Sequence, residues 1–405
     1  MRVSDLALND YRSYRELVAS FAPGVTVLQG ANGRGKTNLV EAIAYLSTFA
    51  SHRVNAESAL VRHAQEGDDQ PGAAVIRVKL ATVDRDFLLE VEIVKGSPNR
   101  ARLNRAKMSP RELLGILRAV VFAPEDLQLL RGEPALRRRF ADQVITETYP
   151  LYAGIRFDFE KVLRQRAATL KQLRSHRWDR GAAEAVLEVW NERLAHLSAQ
   201  MALLRMVLCR QIGEHLTNAY GQVSNEDRRC TLAYHVTPEN LTETLTRAAV
   251  ELSFSEGSMD GNFSQATKLV KAVYLEELAR RQNDEIERGQ NLVGAHRDDL
   301  WFKLDNLPVK GYASHGETWS VALAMRLAQA KLLTYQGDTP IMILDDVFAE
   351  LDRQRRQALA DQLKNFEQVL ITAAVPEDVP DSLPAKRLTV TKSEAGISEV
   401  SEADA

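Results

Sequence analysis

Gly30, Ala31, Asn32, Gly33, Arg34, Gly35, Lys36 and Thr37 fit the spacing G-x-x-x-x-G-K-[ST]. The chemistry of such a run is that of a phosphate cradle. Glycine has no Cβ to obstruct the main chain, so successive N–H groups turn inward on an anion, and the start of a following helix adds a favourable field. Lys36 is then expected to reach the β- and γ-phosphates and Thr37 to ligate Mg2+, which makes the loop a candidate ATP site. A cradle of this kind needs a carboxylate for the metal. Asp345 supplies one near the end of the run "IMILDD", Ile341 to Asp346, and is expected to hold Mg2+ through water. Asp346 beside it is placed either to orient or deprotonate an attacking water or to cap a helix.

A second anion-binding helix end is expected at Ser314 and Gly316, which open a helix whose apolar face runs through Val321, Leu323, Ala324 and Leu327. One nucleotide has no obvious need of two helix ends within one subunit. The economical arrangement is a sandwich of two copies, with each Ser314 meeting the γ-phosphate held by the other. Capping alone explains Ser314 in isolation.

The elements that must position these residues follow from periodicity. Val25 to Gln29 reads as a short strand before the glycine loop, and Asn38 to Phe49 has helical spacing at Leu39, Ile43 and Leu46. "VIRVKL" (Val75 to Leu80) and "LLEVEIV" (Leu88 to Val94) alternate as half-buried antiparallel strands do, and Gln65 to Gly72 reads as a mobile loop. Long helical stretches follow, interrupted at Pro150 and at Val223 to Cys230. Their apolar stripes are read as ordinary helix packing. Strand-and-helix character returns with Met342 to Asp345, a helix from Arg353 to Leu363 and a strand from Gln368 to Thr372. The expected organisation is an α/β head at 1–130 and 291–395, interrupted by a mainly helical arm at 131–290 and followed by a frayed acidic tail at 396–405.

With 405 residues, 45% hydrophobic and 26% charged, the chain can bury a large core. It contains no apolar run long enough to span a bilayer, and Met1 to Tyr14 lacks a cleavable apolar segment, so a cytoplasmic location is expected. Cys209 and Cys230 have no metal-ligand pattern and are expected as buried thiols. A net charge of −3 gives no global sign of a nucleic-acid partner, so only local asymmetry can. Lys95 to Arg111 carries six basic residues and no Asp or Glu, and Arg131 to Arg180 has a balance of +6. Either stretch serves equally as a solvated face or as a phosphate-backbone footprint. A basic hairpin with Arg100, Arg102, Arg105 and Lys107 is the first choice for DNA, read by charge and shape because no base-reading motif is present.

Taken together, the residues resemble the ABC-type ATPase head, with the signature at Ser314 to Glu317, the metal strand at Ile341 to Asp346 and a D-loop at Leu351 and Asp352. More narrowly the chain is similar to the RecF family. The resemblance runs nearly end to end, through "YRSY" (Tyr11 to Tyr14), "GANGRGKTNLVEAI" (Gly30 to Ile43), "SHR" (Ser51 to Arg53), "VVFAPEDLQLLRGEPALRRRFAD" (Val120 to Asp142), "LVGAHRDDL" (Leu292 to Leu300) and "ILDDVFAELD" (Ile343 to Asp352). It departs at His315 and Glu317, where the family often has glutamine, and at Ala295, where it often has proline.

The resemblance implies a P-loop ABC-type head with an inserted helical arm, and a DNA-binding ATPase that dimerises on ATP and binds single-stranded and gapped duplex DNA. It implies work with RecO and RecR to load RecA at gaps, in DNA replication, repair and the SOS response. Lys36, Asp345, Asp346 and Ser314 would be catalytic, and Gly316, Asp352 and Arg12 would join the loop around the nucleotide. Tyr11, Arg12 and Tyr14 are read either as flanking the adenine or as surface packing. Transporter ATPases place a histidine after the strand Gln368 to Thr372, and this chain has Ala373, so turnover is expected to be weak; His296 and His315 are read as structural residues or as substitutes. A metabolic P-loop kinase shares the cradle and Asp345 but not the signature helix. A transporter subunit lacks the arm, a chromosome-organising SMC protein needs far longer heptads, and a scaffold that binds ATP without turnover stays open.

Overall fold

A computed structural model describes residues 1–402 other than His52, Asn55, 64–69, 176–179, Glu251, 254–260 and 335–336. Most of the loop expected at Gln65–Gly72 therefore lies outside the described residues, as do His52 of "SHR" and the end of the tail.

The chain begins with β1 (Arg2–Tyr11), β2 (Tyr14–Ser20), β3 (Gly24–Gln29) and α1 (Lys36–Thr48). Next come β4 (Ala73–Ala81), β5 (Asp86–Val94), β6 (Arg100–Leu103), β7 (Ala106–Met108) and β8 (Ala119–Phe122). The middle contains α2 (Leu127–Arg131), α3 (Pro134–Thr148), α4 (Tyr152–Arg174), α5 (Arg180–Ser224), β9 (Cys230–His235), α6 (Leu241–Ala249) and α7 (Gly261–Arg288). It continues through β10 (Asp299–Leu304), β11 (Leu307–Pro308), the single turn α8 (Val309–Tyr312) and α9 (His315–Leu332). The chain then runs through β12 (Ile341–Asp345), α10 (Arg353–Leu363), β13 (Gln368–Ala373), β14 (Ala385–Lys392) and β15 (Ser398–Glu402).

Two compact units result: Met1–Asp126 with Ala219–Asp227 and Trp319–Ala405, and Leu127–Asn218 with Arg228–Thr318. The second unit thus starts at Leu127 and runs on to Thr318, past the boundary of 290 expected for the arm.

The first unit has two six-stranded sheets of different character. The order β2-β1-β4-β5-β6-β7 is antiparallel, and β4 alternates buried and open positions as a sheet with one wet face must. The order β15-β14-β3-β13-β12-β8 is parallel except for β15, and β12 and β13 are buried at every position. Leu39, Ile43 and Leu46 of α1 share one core with Leu6, Ile76 and Val91 of the first sheet and Ile341, Ile343 and Leu370 of the second. Where β1 shifts register between Val3 and Asp5, the buried Gln368 amide completes the ladder, donating to Val3 O and accepting from Val3 N, both at 2.8 Å.

The described part of the acidic tail is not frayed. Residues 398–402 form β15, which pairs with β14 and extends the parallel sheet. Thr389, Val390 and Thr391 of β14 and Val400 of β15 favour a strand, and the charged Glu399 and Glu402 are exposed.

The second unit is mainly helical and also holds a three-stranded sheet, β11-β10-β9, that periodicity did not indicate. Its interior is crossed by ion pairs, two of them using motif residues. Arg205 grips Asp142 at 2.8 and 2.9 Å, Arg137 grips Asp299 at 2.7 and 2.9 Å, and the fully buried Arg166 meets Glu285 at 2.5 and 3.1 Å. Removing one partner of such a pair costs about 3–5 kcal/mol because the other charge is left buried. Burial pushes the Asp298 carboxyl up to about 6 against the opposing Arg205. The basic stretch Arg131 to Arg180 is thus partly internal scaffold. Cys209 and Cys230 are buried and free, and burial pushes each thiol up to about 12.

Candidate nucleotide site

A parallel sheet brings the C-terminal ends of its strands to one edge, and there residues remote in sequence meet. Gln29 of β3 lies opposite Ala373, and Thr372 lies opposite Asp345. The glycine loop leaves the first of these strands and enters α1 at Lys36. Gly30 and Gly35 have φ of +148° and +114°, and a Cβ at Gly30 would lie 2.4 Å from Val390 O, so only glycine fits there. Lys36 is buried, its Nζ donating to Gly30 O at 2.8 Å and Ala31 O at 3.3 Å, with Asn32 Oδ1 at 3.5 Å.

Asp345 Oδ1 accepts from Thr37 Oγ1 at 2.9 Å and from Thr372 Oγ1 at 2.7 Å. Thr372 was not singled out in the sequence; its signal was a lone hydroxyl after the apolar run Val369 to Ile371. Thr372 Oγ1 also accepts the Asp346 N–H at 2.9 Å and sits 3.5 Å from Asp346 Oδ1, so it braces Asp346 at its strained φ of +52°. Burial and the neighbouring Asp345 charge raise the Asp346 carboxyl, with Lys36 opposing. A carboxylate raised in this way is a better proton acceptor.

Tyr11 and Tyr14 do not flank a base: both are 0% exposed in the first sheet's core. They pair with each other where β1 turns into β2, and the Tyr14 hydroxyl donates to Gly35 O at 3.1 Å. Arg12 is held by Glu41 on α1 at 2.7 and 2.9 Å and donates to Ala59 O at 3.1 Å. Glu41 is fully buried one turn beyond Thr37, and also accepts from Ser51 Oγ at 2.6 Å. Arg12 of "YRSY" and Ser51 of "SHR" therefore converge on Glu41 of α1. Asp352 is the N-cap of α10, accepting from Arg355 N at 2.9 Å.

In the basic hairpin, β6 and β7 are joined by Asn104 and Arg105, both at positive φ, as a tight two-residue hairpin turn requires. Arg102, Arg105 and Lys107 are exposed, whereas Arg100 is paired with Glu92 at 3.1 Å.

Ser314 and Gly316 belong to the second unit. Ser314 forms a capping box with Glu317: its Oγ accepts from Glu317 N at 3.2 Å, and Glu317 Oε2 accepts from Ser314 N at 2.7 Å. The Ser314 bonds and Arg228 hold the Glu317 carboxyl below its ordinary value. His315 is exposed beside Arg131 at 3.2 Å. His296 lies within the same unit, its Nε2 3.2 Å from Asn291 O, and burial pushes it down to about 4, so it is neutral near pH 7. No helix among the described residues is long and apolar enough to cross a membrane.

The family model described as RecF/RecN/SMC N terminal domain matches residues 2–399. The DNA replication and repair protein RecF of Beutenbergia cavernae is 45% identical over 406 residues, covering 96% of this chain and 98% of that protein. That of Rhodococcus erythropolis is 41% identical over 408 residues, covering 99% and 96%. A solved structure of the recombination mediator protein RecF-ATPrS in the RecFOR pathway has a TM-score of 0.81 at 23% identity and covers 98% of each chain. An SmcHead bound to the C-winged helix domain of ScpA has a TM-score of 0.56 at 15% identity, covering 100% of this chain and 98% of that one. At such identities the structural likeness is one of fold, that of an SMC-like head. Matched along its length by this family model and by curated RecF proteins at 45% and 41% identity, the chain belongs to the RecF family.

Proposed function

We propose that this chain is a DNA-binding ATPase of recombinational gap repair and replication restart, which dimerises on ATP and, with RecO and RecR, promotes RecA loading at gaps. The observation that carries the ATP reading is the meeting of Thr37 and Asp345, 2.9 Å apart, beside a glycine loop that folds around Lys36. A hydroxyl and a carboxylate are the hard oxygen donors that Mg2+ takes, so the residues present fit the ion. Thr37 and Asp345 would hold it, and it would supply charge neutralisation at the β- and γ-phosphates. In this reading Asp346 receives the proton of the attacking water, and Thr372 keeps its carboxylate in place. Relatives named DNA replication and repair protein RecF, and a RecF-ATP structure from the RecFOR pathway, support the assignment.

Asp345→Asn is expected to keep nucleotide but to slow Mg2+-dependent phosphate release by about 100-fold, a loss of about 3 kcal/mol. Phosphate release at the parent rate, with and without gapped DNA, would remove Asp345 from that role. A second reading, ATP binding without turnover, is favoured by Ala373, which offers no side-chain donor next to Thr372. In that case neither protein releases phosphate, and dimerisation is the only response to ATP.

For DNA, the exposed Arg102, Arg105 and Lys107 make a cationic tip suited to phosphates. Arg102→Glu with Arg105→Glu should weaken binding alike on unrelated sequences and lower the salt slope by about 2. A salt titration on gapped DNA that superimposes on the parent curve would return the hairpin to a solvated surface.

A further inference from the structure

The peptide groups of the phosphate loop have two ends, and the outward ends are held by residues outside the motif. The Arg34 carbonyl is 2.6 Å from Ser398 Oγ of β15, and the Gly35 carbonyl is 3.1 Å from the Tyr14 hydroxyl. A carbonyl only accepts, so the single Ser398 hydroxyl proton goes to Arg34. Ser13 Oγ lies 2.7 Å from Ser398 Oγ, and its proton must then fill that contact. Ser13 Oγ in turn accepts from Asn38 Nδ2 at 2.8 Å, and Asn38 Oδ1 accepts from Arg53 Nη1 at 2.9 Å. All donors point one way, from the Arg53 guanidinium through Asn38, Ser13 and Ser398 to the loop, and bonds so aligned strengthen one another. Ser398 N also donates to Ser13 O at 2.9 Å, and Ser398 is 0% exposed. A Cβ at Gly35 would fall 2.4 Å from Ser398 Oγ, so the strand sits directly against the loop.

A trans peptide directs its C=O and its N–H to opposite sides. Holding the Arg34 carbonyl back against Ser398 therefore aims the Gly35 N–H to the other side, and holding the Gly35 carbonyl against Tyr14 does the same for the Lys36 N–H. We propose that Ser398 is a positioning residue of the nucleotide site: through the relay from Arg53, Asn38 and Ser13, and in concert with Tyr14, it fixes the direction in which the Gly35 and Lys36 N–H groups meet a polyphosphate. The inference rests on the ATP reading of the loop, and it gives a role to Ser13, Asn38 and Arg53, which the reaction itself does not use.

Equilibrium binding of Mg-ATP and Mg-ADP to the full chain tests it, with Ser398→Ala, Ser13→Ala and Tyr14→Phe as variants and the exposed neighbour Glu399→Ala as control. Each relay variant is expected to lose about ten-fold in affinity for both nucleotides, while Glu399→Ala binds as the parent does. In glycine-15N-labelled protein, the displacement of the Gly35 amide resonance on adding ATP should fall by roughly half or more in Ser398→Ala, which a loss of general stability would not produce. Affinities of the relay variants within about two-fold of the parent, or an equal loss in Glu399→Ala, would overturn the proposal. If Ser398→Ala does not fold, Ser13→Ala and Tyr14→Phe decide it. A parent that does not bind ATP removes the ATP reading and the relay together. Loss of ATP by Lys36→Met with retention by Ser398→Ala removes the relay alone.

Discussion

Lys36→Met is expected to abolish tight ATP binding, by about 100-fold or more, while the melting temperature stays near that of the parent. The ammonium is the buried cation of the glycine loop, bonded to Gly30 O and Ala31 O, whereas Arg34 is exposed. Methionine matches its length and apolar stem but brings no charge, and loop N–H groups alone carry only partial charges against a polyphosphate. Losing a charge-assisted contact of this kind costs about 3 kcal/mol or more. The fold should survive, because α1 is anchored by Leu39, Ile43 and Leu46 in the core and by Glu41 through Arg12 and Ser51. ATP binding by calorimetry, set beside thermal unfolding, checks both halves of the statement. Parent-like affinity would remove the cradle from the proposed function.

Ser314→Arg should separate binding from dimerisation. In the proposed two-copy sandwich, the N-terminal end of α9 would meet the γ-phosphate held by the other subunit, and a guanidinium on a three-carbon stem would occupy the approach. The variant is expected to bind ATP as the parent does and to raise the ATP-dependent dimer dissociation constant by about 100-fold, through steric exclusion at a close-packed contact. Ser314 also caps α9, and its loss there costs about 1 kcal/mol. Ser314→Ala controls for that cost: it loses the cap but leaves the approach open, so it should still dimerise. Light scattering at measured nucleotide occupancy distinguishes the cases. An ATP-loaded Ser314→Arg protein that dimerises like the parent sinks the composite site, and a monomer that no longer binds ATP puts Ser314 in its own subunit's pocket.

The sequence alone determined the features carried by local chemistry. The glycine loop, the strand before it and the helix after it follow from residue types within about twenty positions, because glycine freedom, apolar runs and 3.6-residue spacing are short-range signals. The run Ile341 to Asp345 was legible as a buried strand for the same reason, and the helix Arg353 to Leu363 matches α10. The antiparallel strands Val75 to Leu80 and Leu88 to Val94 showed in their alternation, and they proved three and two residues longer.

Tertiary structure decided what depends on which strands become neighbours. Thr372 meets Asp345 because β13 lies between β3 and β12 in a parallel sheet, and no pattern within either strand states that order. Tyr11 and Tyr14 are core residues because the sheet that contains them packs inward at those positions, which residue type alone leaves open. Charge misled in the chain's middle and at its tail. The cationic stretch from Arg131 spends Arg137 and Arg166 on internal carboxylates, since a buried guanidinium must be paired, and the acidic tail forms a strand because its backbone completes a sheet edge. Ser398 contacts the phosphate loop for that reason: hydrogen bonding to β14 carries a segment from the far end of the sequence to Arg34, and only the folded sheet supplies that proximity.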